Sequence, residues 1–98
     1  MKQRTYRLRI SDHAASILRS LHPHIKRKLR AAFQTIMTDP FVGKALTDEV
    51  IGLCSYRVSR FRIIYRLGRD KQIEIIAIGP RERIYEETYR LISKQEKQ

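Results

Sequence analysis

Ser55-Tyr56-Arg57-Val58-Ser59-Arg60-Phe61-Arg62-Ile63-Ile64-Tyr65-Arg66 reads as a β-hairpin turning at Ser59-Arg60. With a two-residue turn, Val58 pairs with Phe61 and Arg57 pairs with Arg62. Directly opposed residues share a face of the sheet. Cys54, Tyr56, Val58, Phe61, Ile63 and Tyr65 then form a core side, and Ser55, Arg57, Arg62, Ile64 and Arg66 form the other. A slip of one residue would reverse every assignment. The apolar residues select this register, because it alone gathers Phe61, Ile63, Tyr65, Ile76 and Ile78 on one side. Like charges opposed across two strands repel. A small domain that keeps Arg57 opposite Arg62 has a use for positive charge there, and a phosphate backbone is the natural counterpart.

Downstream, Gly68-Arg69-Asp70-Lys71 has turn chemistry and Gln72–Gly79 reads as the next strand, closed by Pro80. If Arg69-Asp70 closes that turn, Arg62 faces Ala77 and Ile64 faces Ile75. Arg81 then emerges near the same end, so three arginines converge beside a small residue that leaves room for a ligand. Arg81 to about Lys94 is expected to form a last helix with Ile84, Tyr85, Thr88, Leu91 and Ile92 on its inner side.

Upstream, Thr5–Ile10 alternates as a short strand, with Tyr6, Leu8 and Ile10 on one face and Arg7 and Arg9 on the other. Ser11 or Asp12 caps the helix that follows, whose stripe is Ala14, Ile17, Leu18 and Leu21. Pro23 suits the first turn of a second helix. Its buried face is Ile25, Leu29, Ala32, Phe33, Ile36 and Met37, with Lys26, Arg27, Lys28 and Arg30 around the remainder. The short break between the two predicts a helical hairpin, ended at Asp39-Pro40. Phe41–Gly52 reads as a loop and Leu53–Val58 as the first strand of the hairpin. The order β-α-α-β-β-β-α predicts one α+β domain over residues 1–98, with a small, mostly antiparallel sheet.

The chain has 98 residues and a net charge of +11, which fits a nucleic-acid or acidic-protein partner. The arginines are unevenly spread: Arg57 to Arg83 holds half of them, against Asp70, Glu74 and Glu82. Cys54 is the single cysteine, which fits a reducing, cytoplasmic setting, and its apolar neighbours predict a packing role. No run approaches the roughly 18–20 apolar residues of a membrane span, and the first ten residues lack a signal-peptide core. Asp and Glu form no cluster, and His22-Pro23-His24 sits at a helix start, where cap, surface or RNA-contacting roles are expected rather than metal binding. No metal and no cofactor is expected.

The strand pair Leu53-Cys54-Ser55-Tyr56-Arg57-Val58 and Phe61-Arg62-Ile63-Ile64-Tyr65 resembles the RelE/ParE toxin superfamily. So does the closing segment Ile76-Ala77-Ile78-Gly79-Pro80-Arg81-Glu82-Arg83-Ile84-Tyr85. The likeness covers nearly the whole chain, with the elements in family order and spacing. It implies a RelE-like fold and a toxin of a type II toxin–antitoxin pair. The RelE branch cuts messenger RNA in the ribosomal A site without a metal, and the ParE branch poisons DNA gyrase. By position, the catalytic arginine of the second hairpin strand falls on Arg62, the basic residue of the preceding strand on Arg57, and the arginine after the last strand on Arg81. The catalytic tyrosine falls on Tyr85 or, one turn further, Tyr89. Arg60, Arg66, Arg83 and Tyr89 are candidates for holding more of the substrate. Many ribonuclease members carry histidine where this chain has Pro80, and no histidine follows His24.

The chemistry is consistent with that likeness. Attack by a 2′-hydroxyl needs alignment, stabilisation of negative charge and a proton for the leaving oxygen. Arginine's planar fork binds phosphate oxygens bidentately, but its pKa, above about 12, makes it a poor base. A tyrosine among arginines can be lowered toward use as a base, or can stack on a nucleobase. Such a site is slow on free RNA and gains from alignment on the ribosome. The resemblance also implies an antitoxin partner, and the charge suits an acidic, partly disordered one. A gyrase inhibitor without nuclease activity and a plain basic RNA-binding module are the alternatives.

Overall fold

The computed structural model describes residues 6–46, 52–80 and 90. Its elements are β1 (Arg7–Ile10), α1 (Asp12–Ser20), α2 (Pro23–Thr38), β2 (Lys44–Ala45), β3 (Cys54–Val58), β4 (Phe61–Leu67) and β5 (Gln72–Pro80). The strands form one sheet in the order β1-β5-β4-β3-β2. Only β1 and β5 run parallel; the other pairs are antiparallel. The expected α+β architecture with a mostly antiparallel sheet is therefore present. The expected last helix lies outside the described residues, apart from Arg90, which is helical.

One sheet face carries the main core. Ala14 of α1 and Leu29, Ala32, Phe33 and Ile36 of α2 pack on Ile63 and Tyr65 of β4 and on Ile73, Ile75 and Ile78 of β5. Tyr6, just before β1, and Leu8 and Ile10 of β1 join them, as the alternation predicts. Each fully buried isoleucine contributes about 1.5–3 kcal/mol of burial. Ser11 starts α1 by accepting from the Ala14 N–H at 3.1 Å. At the head of α2, His22 accepts from the His24 N–H through Nδ1 at 3.1 Å, a capping role.

The β3–β4 register is the expected one: Arg57 opposes Arg62 and Val58 opposes Phe61. Ser59, the first turn residue, has φ 58°, a left-handed value that L side chains adopt at a cost. Ser59→Gly should therefore raise stability by about 0.5–1 kcal/mol. A urea titration checks this through a higher midpoint at unchanged slope.

The β4–β5 register differs from the expectation. Gly68 N–H donates to the Gln72 carbonyl at 2.6 Å, leaving a three-residue loop, Arg69–Lys71, rather than a two-residue turn. Asp70 and Lys71 take positive φ within it. The pairing shifts again between Ile64 and Tyr65, so Arg62 faces Gly79 and Ile64 faces Ala77. Ile76 is the extra residue, because Tyr65 pairs with Ile75 and Ile64 with Ala77. Ile75 therefore belongs to the main core and Ile76 to the opposite face, the reverse of the sequence assignment. Ser11 clamps the irregularity: its hydroxyl donates to the Ile76 carbonyl at 2.8 Å and its N–H to Ile75 at 3.0 Å.

Two further corrections concern positions read as loop or open surface. Lys44–Ala45, inside the expected Phe41–Gly52 loop, pairs with β3 as an edge strand. The face opposite the helices is not open along its middle. Leu53, Ile64, Ile76 and Ala77 form a second buried cluster there, and Ser55 is only 2% exposed.

Candidate phosphate-binding site

The pairing of β3 with β4 brings Arg57 and Arg62 side by side on the face opposite the helices. The next residue in that row is Gly79 of β5, so β5 adds no side chain beside them. The small neighbour expected at Ala77 is thus supplied by Gly79, two residues later.

Both guanidinium groups are anchored. Arg62 Nη1 donates to Ser55 Oγ at 3.0 Å. Arg57 Nε donates to the Ser59 carbonyl at 3.3 Å, so the turn steadies the more exposed arginine. Arg62 is half-buried, and its Nε is covered without a hydrogen-bond partner among the described residues. A buried donor left unpaired costs about 1–3 kcal/mol, and such an exception calls for an explanation. A ligand oxygen at this position would remove the cost. No ion pair engages Arg57 or Arg62 among the described residues, where the one ion pair is Arg66–Glu74.

Two anchored cations, Arg62 half-buried and Arg57 exposed, with donors unspent, can hold a phosphate and stabilise charge that grows on it. Ser55 was not legible as part of the site, since a hydroxyl in a strand reads as surface. Its signal is its position two residues before Arg57, on the same face. Ser55→Ala removes one bond to the charged group, and binding of a phosphate-bearing oligonucleotide should weaken about tenfold. A binding titration alongside an unchanged circular dichroism spectrum checks this.

The other sequence candidates distribute as follows. Arg60 is exposed in the turn at the same end of the hairpin. Arg66 lies four residues along β4 from Arg62, about 13 Å at strand rise. It is paired through Nε with Glu74 Oε1 at 2.6 Å. Arg81, Arg83, Tyr85 and Tyr89 lie outside the described residues. Cys54 is a half-buried free thiol packed against the main core.

Comparison with known proteins matches this fold and sequence to one group. The family model for the ParE toxin of the type II toxin–antitoxin system, parDE, matches residues 8–85. Among solved structures, the toxin–antitoxin complex RelBE2 from Mycobacterium tuberculosis has a chain 29% identical, with a TM-score of 0.71. That match covers 79% of this chain and 99% of the relative. A chain of the archaeal RelE–RelB complex from Pyrococcus horikoshii OT3 is 26% identical, with a TM-score of 0.61, over 81% of this chain and 98% of that one. A free-state mutant of the E. coli toxin RelE shares the fold at 18% identity. Its TM-score is 0.75, over 93% of this chain and 97% of the other. No curated protein matches the sequence significantly. With the family model spanning most of the chain and the fold shared with RelE toxins, this protein belongs to the ParE toxin family, within the RelE/ParE superfamily of type II toxin–antitoxin systems.

Proposed function

We propose that this toxin is a metal-independent, ribosome-dependent endoribonuclease that cuts messenger RNA through the RNA's own 2′-hydroxyl. The observation that carries the proposal is Arg62, held by Ser55 and opposed by Arg57, with a covered Nε that has no partner among the described residues. In this mechanism Arg62 and Arg57 bind the non-bridging oxygens of the scissile phosphate. The 2′-hydroxyl gives up its proton as its oxygen attacks phosphorus, the bond to the 5′-oxygen breaks, and that oxygen takes a proton from solvent water, so the products are a 2′,3′-cyclic phosphate and a 5′-hydroxyl. Arg81 would complete the phosphate clamp, and Tyr85 or Tyr89 would take the 2′-proton or stack on a base. The arginines stabilise charge rather than move protons, so alignment by the ribosome supplies much of the rate.

The partner in the cell would be an antitoxin, as in the RelBE2 and RelE–RelB complexes. An acidic polypeptide suits the net charge of +11.

A second reading, inhibition of DNA gyrase, is favoured by the family model that matches, a ParE toxin, and by Pro80 where many ribonuclease members carry histidine. Two assays on the same purified toxin decide between them. Primer extension on a translated message with purified ribosomes should show discrete cuts within codons, and gyrase supercoiling should continue unimpaired. Absent cuts with supercoiling blocked would establish the second reading instead.

A further inference from the structure

A row of charged side chains crosses three strands at the other end of the same sheet face. Arg9 of β1 opposes Glu74 of β5, and Glu74 opposes Arg66 of β4. They line a cleft of about 340 Å³ together with Ser11, Asp12 and Ile76. That volume lies in the range of small-molecule sites. The buried Ile64–Ala77 row separates the cleft from Arg57 and Arg62.

The mixture of charges is informative about the ligand. A site for phosphate alone, or for an acidic peptide, would not place a carboxylate between its two arginines. A nucleotide uses all three groups. The guanidinium plane of Arg66, fixed by Glu74, offers a surface on which a base stacks. The Glu74 carboxylate has about four acceptor sites, one of them taken by Arg66 Nε, and accepts from amino groups of a base. Arg9, on the far side of Glu74, is the second cation of the cleft and is placed for the nucleotide's phosphate. Ile76 gives an apolar floor.

We propose that this cleft is a second nucleotide subsite of the toxin, which selects a base carrying an exocyclic amino group. It would hold a nucleotide of the same RNA strand other than the one cut, since Arg66 stands about 13 Å along β4 from Arg62. The proposal rests on the reading of RNA as the substrate. Uracil is disfavoured because its imide N–H is flanked by two carbonyls that the carboxylate repels.

Cytidine and uridine 5′-monophosphates isolate the point, as they are nearly equal in size and differ in the amino group. Titrated into isotopically labelled toxin, the cytidine nucleotide should shift the amide resonances of Ser11, Glu74 and Ile76 and bind at least tenfold tighter than the uridine nucleotide. Glu74→Gln, checked for fold by its spectrum, should abolish that preference. Equal binding of the two nucleotides by the wild type would overturn the proposal. So would the same shifts from inorganic phosphate alone, or shifts with a glutamate-rich peptide but with neither nucleotide. Cleavage is read separately. Selective binding in a toxin that cuts no message would leave the subsite standing and sink the nuclease reading. Cutting without selective binding would do the reverse.

Discussion

Arg62→Ala is expected to lower ribosome-dependent message cleavage by about 10²–10³-fold, the usual cost of removing one preorganised donor from a developing oxyanion. The fold should survive the change. Truncation removes the repulsion with Arg57 and the covered, unpartnered Nε together with the bond to Ser55. The melting temperature should therefore stay near that of the wild type while growth arrest is lost. Arg62→Lys should recover only a small part of the rate. A lysine is a point charge that cannot reach Ser55 and two phosphate oxygens with one planar fork. Full growth arrest by a folded Arg62→Ala toxin would remove Arg62 from the mechanism.

Tyr65→Phe is the substitution expected to cost most stability for one lost atom. The Tyr65 hydroxyl is buried, donates to the Pro40 carbonyl at 2.7 Å and accepts from the Gly43 N–H at 3.0 Å. It thus ties the segment leading from α2 into β2 onto the centre of the sheet. Losing it leaves two backbone groups without partners and should cost about 2–3 kcal/mol, or about 10–20 °C in melting temperature for a domain of this size. Thermal melts of both proteins check this. The close approach also explains Gly43: a Cβ there would meet the Tyr65 hydroxyl oxygen at 2.5 Å and the Ser55 carbonyl at 3.0 Å.

The same hydroxyl gives the protein a pH signature. Burial pushes the Tyr65 phenol from 10.0 up to about 12, against the lowering effect of the Gly43 N–H. Between those values the unfolded chain ionises at this residue while the folded chain does not. The contribution of Tyr65 is whole below pH 10 and is lost as the pH rises toward 12, by about 1.4 kcal/mol per unit at most. The stability difference between wild type and Tyr65→Phe should therefore shrink over that range.

The hairpin was legible because a two-residue turn fixes its register and apolar alternation confirms it. The neighbouring strand was not. Ile73, Ile75, Ile76 and Ile78 carry the same side chain to both faces, so nothing in their pattern marks Ile76 as the extra residue. Lys44–Ala45 is too short for any periodicity to show a strand. Of the candidate site, Arg57 and Arg62 were readable from turn geometry alone. Ser55 and Gly79 acquire their roles only through pairing. The Arg9–Glu74–Arg66 row needs the parallel contact of β1 with β5, a contact between segments more than sixty residues apart that local patterns do not encode.

Attack by the substrate's own hydroxyl at the Arg57–Arg62 site is the central claim, and one modified message tests it. A message carrying a single 2′-deoxynucleotide immediately 5′ of a mapped cut should be left whole at that codon and cut at its other sites. The remaining products should bear 5′-hydroxyl ends. Undiminished cutting at the deoxy position would contradict attack by the 2′-hydroxyl and with it the mechanism assigned to these arginines.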